Sequence, residues 1–258
     1  MGGESSVVDA ASVERRELTT TVGVTAVVWL LFSSAWPLLP VRWLVTLVHE
    51  AGHAAAATVL GGHVGSVTVN RHGGGLTQWS YAGEIPTLRR VLVASAGYVG
   101  AALVGGVMIE LATRLRRGRL AVLVLAALVA LIGLAWVPWR FDAEGPMAQV
   151  SGSSSGDGRF STVFWIVAAA ALLGLAVQPS ERLRRVTVLA LATSLCLASI
   201  DDLRQVMDIS SRGGHSDAAA AAAVTPLSSW MWSALWLLIG LGVCGAGLWS
   251  ALSSQKRQ

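Results

Sequence analysis

The segment around residue 50 combines two histidines and a glutamate at a spacing that can bind and use a metal ion. It reads His49-Glu50-Ala51-Gly52-His53, an H-E-x-x-H pattern within an apolar stretch. Residues four apart share a helix face, so the pattern predicts that His49 and His53 present two imidazoles to one Zn²⁺. Glu50 lies about 100° further round the helix, where its carboxylate can take a proton from metal-activated water. Zinc lowers the pKa of such water to about 7, so the pattern indicates a metalloprotease with Glu50 as general base and then general acid.

The third zinc ligand is expected from another segment, because a catalytic zinc usually has three protein ligands and one open position. A later apolar segment carries Asp201, Asp202 and Asp208. We predict Asp208 as the ligand, with Asp201 and then Asp202 as alternatives. Asp201 and Asp208 are two turns apart on one helix face. Arg204 could instead pair with either of these two acids in a structural ion cluster that holds no metal.

The composition is that of a polytopic membrane protein. The chain has 258 residues, of which 53% are hydrophobic and 13% charged, and its mean hydropathy is +0.60. Soluble domains carry about 25% charged residues. The net charge of +4 comes from arginines clustered between apolar runs rather than along one face, so we expect no nucleic-acid partner. Cys196 and Cys244 lie in apolar runs and are interpreted as core residues.

Seven apolar segments are candidates for crossing the bilayer, because a crossing needs about 20 apolar residues. The first two are separated only by Pro37, Pro40 and Arg42, so the predicted fold is all-α with six or seven transmembrane helices. Ionisable residues within such a segment are costly and indicate function, although a polar cluster that merely joins helices is the alternative. The segments are residues 22–40, 42–61, 88–112, 119–138, 160–178, 186–207 and 229–252.

The domain organisation and orientation follow from the polar segments. Residues 1–21 form a polar N-terminal tail, 22–252 a single integral-membrane domain, and 253–258 a short basic C-terminal tail. The arginine-rich loops 113–119 and 179–185 are separated by two predicted spans, so they lie on the same side. The positive-inside rule makes that side cytoplasmic.

A small β-hairpin is predicted between the second and third apolar segments. Residues 64–70 are β-branched and partly alternating, and three glycines at 73–75 separate them from a second such run at 76–81. We hypothesise that an unwound substrate adds as a strand to the open edge of this hairpin, since a helical substrate hides its carbonyls in hydrogen bonds. The alternative is a surface loop.

Two further segments are interpreted from their small residues. Gly97, Gly100, Gly105 and Gly106 of the third span are predicted to let it approach the helix of His49 and His53 closely. The connection 209–228 is interpreted as flexible, apart from an alanine run at 218–223 that predicts a helical stretch without chemistry.

Together these motifs resemble the site-2 protease family of intramembrane zinc metalloproteases. The first match is the H-E-x-x-H pattern in an early membrane helix, followed by Gly61-Gly62 and a hairpin. The second is the small-residue run at 95–100 in an apolar helix. The third is a late helix that bears an aspartate, here followed by Ser216-Asp217-Ala218.

The resemblance implies that His49, His53 and one late aspartate bind zinc and that Glu50 is the catalytic carboxylate. It also implies a membrane-spanning or membrane-proximal peptide as substrate. The chain lacks the Asn-Pro segment and the Leu-Asp-Gly that the best-known members carry, so it is similar to a divergent bacterial branch, which indicates a bacterial cell membrane. The identity of the third ligand therefore stays open.

The alternative is that the chain is a membrane protein without hydrolytic activity. It would be a metal-stabilised scaffold, or a transporter whose acids and histidines line an ion path. Transporters often consist of repeated halves with paired broken helices. The chain shows no such internal repeat, which favours the protease.

Overall fold

A computed structural model describes residues 3–113, 118–138, 155–200 and 216–254 of the chain. Within these ranges the protein is mostly helical and contains one two-stranded antiparallel sheet, as predicted. A short 3-10 turn at Trp36–Leu38 precedes the second helix. The helices are α1 (Gly3–Phe32), α2 (Leu39–Val59), α3 (Thr87–Thr113), α4 (Gly118–Trp136), α5 (Ser155–Ala176), α6 (Glu181–Cys196), α7 (Asp217–Ala222) and α8 (Ser229–Ser254).

Prolines separate the first two helices. Pro37 lies in the 3-10 turn and Pro40 in the first turn of α2, where a missing backbone N–H costs no helical hydrogen bond. The break therefore falls where the sequence predicts it. Helix α1 begins at Gly3, so it extends through most of the polar N-terminal tail.

Four of the described helices are long and apolar enough to cross a membrane. Their exposed large apolar side chains, such as Leu131, Leu173 and Leu238, are suited to contact with lipid. They agree with the predicted segments 88–112, 119–138, 160–178 and 229–252. The spans are Thr87–Thr113, Gly118–Trp136, Gly158–Ala176 and Ser229–Ser253.

The other three predicted segments are not among these four spans. Segments 22–40 and 42–61 correspond to parts of α1 and α2, and 186–207 extends beyond the described residues. The total of six or seven crossings therefore stays a prediction.

Helix α3 lies at the centre of the bundle and packs against α2, α6 and α8, while α4 pairs with α5 and α1 packs on α6. Gly97 and Gly100 of α3 face α2, as predicted. The prediction is wrong for the other two glycines. Gly105 faces the α6 backbone and Gly106 faces Val243 of α8, because α3 also packs against these two helices.

The predicted hairpin is confirmed, with β1 at His63–Val69 and β2 at Gly75–Ser80. It is not a surface loop, because Val67 and Val69 of β1 are fully buried. Ser161 of α5 also bonds both backbone groups of Val69, with its Oγ 2.7 Å from the nitrogen and 3.0 Å from the oxygen. The hairpin is thus an internal element held between α2 and α5.

Candidate metal centre

His49 and His53 lie one turn apart on α2 and direct their rings to a common point. Their Nε2 atoms are 3.0 Å apart, and the two rings are nearly perpendicular, with centroids separated by 4.6 Å. His53 is buried, and the side chain of His49 is 12% exposed. The i, i+4 spacing therefore places the two imidazoles as the sequence predicts.

Asp217 completes a three-residue cluster with these histidines. Its Oδ2 lies 3.2 Å from Nε2 of His49 and 3.1 Å from Nε2 of His53. Burial alone would raise the pKa of the Asp217 carboxyl, but the neighbouring His53 and His49 imidazoles lower this pKa below its usual range. The ionised carboxylate is the form that can bind a cation.

The local sequence around Asp217 explains why its carboxylate is held in place. Ser216 is the N-cap of α7, and its hydroxyl accepts a hydrogen bond of 3.1 Å from the backbone N–H of Ala219. The following alanines favour helix, and Ala218 and Ala221 are fully buried against α3 and α8. A short, well-capped helix therefore presents Asp217 from its first position.

Each imidazole has its own support. Nδ1 of His53 lies 2.6 Å from the carbonyl oxygen of Val93. Because a carbonyl oxygen can only accept, Nδ1 carries the proton and donates it. In a neutral His53, Nε2 therefore has the free lone pair. The His49 ring packs edge-on against Tyr98, with centroids 4.3 Å apart. Tyr98 in turn stacks on Trp236, whose indole N–H donates to Ser95 at 3.1 Å.

The cluster also requires a glycine on the facing helix. A Cβ added at Gly97 would lie 2.5 Å from His49 Cε1 and from His53 Nε2, well inside van der Waals contact. Gly52, between the two histidines, likewise meets the backbone of Ala96 and Gly97. Two glycines therefore let α2 and α3 approach closely enough to enclose the imidazoles.

The three donor atoms fit a zinc ion. Bonds of about 2.0–2.1 Å in a tetrahedron place neighbouring ligand atoms about 3.3 Å apart. The observed triangle has sides of 3.0, 3.1 and 3.2 Å. Two imidazole nitrogens and a carboxylate oxygen are also a known ligand set of catalytic zinc. In the neutral form of His53, the Nε2 lone pair and the Asp217 carboxylate face each other, and one cation can bind to both.

Glu50 occupies the adjacent face of α2, where strand β2 covers it. Its buried carboxylate oxygen Oε2 lies 2.7 Å from the hydroxyl of Thr77, and the Glu50 backbone oxygen lies 2.8 Å from the same hydroxyl. Gly75 leaves space for the carboxylate, because an added Cβ would lie 2.7 Å from Oε1. Thr46 fastens the hairpin to α2 by donating to the Gly73 carbonyl at 2.8 Å. The hairpin therefore forms a wall of the site.

Comparison with protein families matches the chain to the Peptidase M50B-like family over residues 20–141 and 158–247. The chain belongs to this family. Since it is the site-2 protease family, the resemblance stated from the sequence is confirmed. Membership and the four apolar helices identify an integral membrane protein of a peptidase family. No curated protein and no solved structure matches the chain.

In this M50B-like protein, the aspartate near the histidines differs from the ligand that the sequence predicted. Asp208 lies outside the described residues, as do the alternatives Asp201 and Asp202 and their potential partner Arg204. Within the described part of the chain, Asp217 is the acid that the fold brings to His49 and His53. The sequence prediction of Asp208 stays untested.

Sequence reasoning missed Asp217 as a candidate ligand and included it only within a resemblance motif. The sequence pattern predicts a flexible connection at 209–228, with a helical alanine run inside it that has no chemistry. The available signal was a serine, an acid and an alanine run, which together predict a capped helix start. Such a start orients a carboxylate at its first position even when the helix is short.

Proposed function

We propose that this protein is an intramembrane zinc endopeptidase that hydrolyses peptide bonds of membrane-spanning or membrane-proximal substrates. The observation that carries the proposal is the convergence of His49 Nε2, His53 Nε2 and Asp217 Oδ2 within 3.0–3.2 Å of one another. Glu50 lies on the adjacent face of the same helix. Membership of a peptidase family supports the same reaction class.

The residues of the site have distinct roles in this reaction. His49, His53 and Asp217 hold the zinc, with His53 oriented by the Val93 carbonyl. When bound, zinc supplies Lewis acidity, which lowers the pKa of water and polarises a carbonyl group. The Glu50 carboxylate accepts a proton from the attacking water and delivers it to the leaving amine. Burial under the hairpin excludes bulk water from this carboxylate.

The hairpin supports a mode of substrate binding. Strand β2 pairs with β1 and contacts Glu50 through Thr77, so an extended segment along its other edge would lie beside the carboxylate. Such a segment must be unwound, because a helix hides its carbonyls in hydrogen bonds. If changes to residues 73–75 and the strand edges left cleavage of every substrate unchanged, this mode would be excluded.

The orientation proposed from the arginine clusters places loops 113–119 and 179–185 in the cytoplasm of a bacterial cell. One contact supports a common side for the two loops, since the Gly118 backbone N–H donates to the Glu181 carboxylate at 2.8 Å. The cytoplasmic assignment itself rests on the positive-inside rule.

The function is tested by separating metal binding from proton transfer. Glu50→Gln should keep zinc but lower cleavage of a single-span peptide by about 10²–10⁴-fold, because it removes the general base. His49→Ala should lose both zinc and cleavage. Zinc content of the purified proteins and release of peptide fragments are the two measurements.

Two results would contradict the proposed function. A fully active Glu50→Gln protein would refute the assigned role of Glu50. Wild-type protein that contains zinc but cleaves no membrane peptide would support the metal-stabilised scaffold or transporter instead.

A further inference from the structure

The Glu50 carboxylate receives a hydrogen bond from the hairpin that the H-E-x-x-H pattern does not encode. Thr77 Oγ1 lies 2.7 Å from Oε2 of Glu50, 27 residues away in the chain. The single hydroxyl proton can reach Oε2 and also the Glu50 backbone oxygen at 2.8 Å. Of these two acceptors the ionised carboxylate forms the stronger hydrogen bond, because hydrogen bonds to charged groups are about twice as strong as neutral ones. The contact therefore joins β2 directly to the proposed catalytic residue.

The setting of Thr77 differs from that of three threonines within the described helices. Thr58, Thr113 and Thr193 each donate to the carbonyl of the residue four positions earlier in their own helix. Thr77 instead lies on a strand, opposite the fully buried Val67, and its hydroxyl reaches another element. The pairing register of the hairpin thus sets the position of this hydroxyl relative to α2.

The two carboxylate oxygens of Glu50 have different surroundings. Oε2 accepts from Thr77, whereas Oε1 lies in the space that Gly75 leaves by lacking a Cβ. A carboxylate fixed through one oxygen cannot rotate freely about its terminal bond. The other oxygen is then held in one orientation.

We propose that Thr77 is a positioning residue, which fixes Glu50 through Oε2 and leaves Oε1 to exchange the proton. The inference rests on the proposed function, in which one proton passes from water to Oε1 and then from Oε1 to the leaving amine. Thr77 itself gains and loses no proton in these steps. It acts only through Glu50.

The first test compares three variants of the full-length protein. Thr77→Val keeps the shape but removes the hydroxyl, and should lower kcat about 10- to 100-fold with unchanged KM and zinc content. Thr77→Ser should restore kcat to within about threefold of wild type, since it keeps the donor. Thr68→Val is the matched control, because the Thr68 hydroxyl lies 3.4 Å from the Leu76 carbonyl in the same hairpin and contacts no carboxylate among the described residues.

The second test needs no catalysis and uses thermal unfolding of the purified full-length protein as isolated. Thr77→Val and Glu50→Ala should shift the melting temperature non-additively, because both remove the same contact. Thr68→Val and Glu50→Ala should shift it additively.

Three outcomes would overturn the role of Thr77: additive shifts for Thr77 and Glu50, an equal loss of kcat in Thr68→Val, or no rescue by serine. Wild-type protein that binds zinc but cleaves no peptide would refute the proposed function instead. In that case the unfolding cycle would still decide whether Thr77 pairs with Glu50.

Discussion

Two faces of α2 contribute residues to the candidate site, and different elements of the fold hold their side chains in place. The metal face, formed by His49 and His53, packs against helices α3 and α7 and is fixed by a backbone carbonyl and an aromatic stack. The base face, formed by Glu50, lies under a two-stranded sheet and is fixed by one hydroxyl. In the proposed function, metal binding and proton transfer therefore depend on separate parts of the fold. Substitutions should therefore separate zinc content from turnover.

The largest expected effect is on the metal face. Asp217→Asn removes the anionic ligand, so zinc affinity should fall more than about 100-fold and cleavage should be lost. Zinc titration with a competing chelator measures the change.

Asp208→Asn is the matched control for this substitution, because it makes the same change at the ligand that the sequence predicted. It should retain zinc. The reverse result, with zinc lost from Asp208→Asn and kept by Asp217→Asn, would restore the sequence prediction.

An intermediate effect is expected on the base face from Gly75→Ala. The added Cβ would lie 2.6 Å from Glu50 Cγ and 2.6 Å from Thr46 Cγ2, so the side chains of these two residues must move. We expect kcat to fall about 10- to 100-fold while zinc content stays the same. Gly65→Ala is the control in the same hairpin, because its Cβ would meet no atom closer than 3.8 Å. A loss of zinc from Gly75→Ala would show that the two faces are not separable.

The smallest expected effect concerns the cap of α7. Ser216→Ala removes the hydroxyl that accepts from Ala219, which should destabilise the helix start by about 1 kcal/mol. Since this start carries Asp217, zinc affinity should fall about fivefold. Ser180→Ala removes the equivalent cap of α6, whose hydroxyl accepts from Leu183 at 3.2 Å, and should lower stability but leave zinc affinity unchanged. Equal zinc affinities in the two variants would contradict a role for the α7 cap.

The parts of the fold that local patterns determine were predictable from the sequence. The i, i+4 histidines, the four apolar spans and the hairpin with its glycine turn all depend on residues close together in the chain. The family resemblance rested on the same local motifs and is confirmed.

The parts that were missed depend on contacts between distant segments. No local sequence pattern indicates that Thr77 contacts Glu50, because the contact depends on how the hairpin packs against α2. Asp217 comes near His49 only through the packing of α7 on α3 and α8. Gly105 and Gly106 were assigned to the wrong neighbour for the same reason, since periodicity along α3 does not say which helix lies opposite.

The distance along the chain between the histidines and the acid has a consequence for biosynthesis. His49 and Asp217 are 168 residues apart, so a growing polypeptide carries both imidazoles long before the carboxylate is made. Until α7 has been translated and has docked on α3, the proposed site offers two of its three ligands and would hold zinc only weakly. Under the proposed function, hydrolytic competence would therefore arise only near the end of translation.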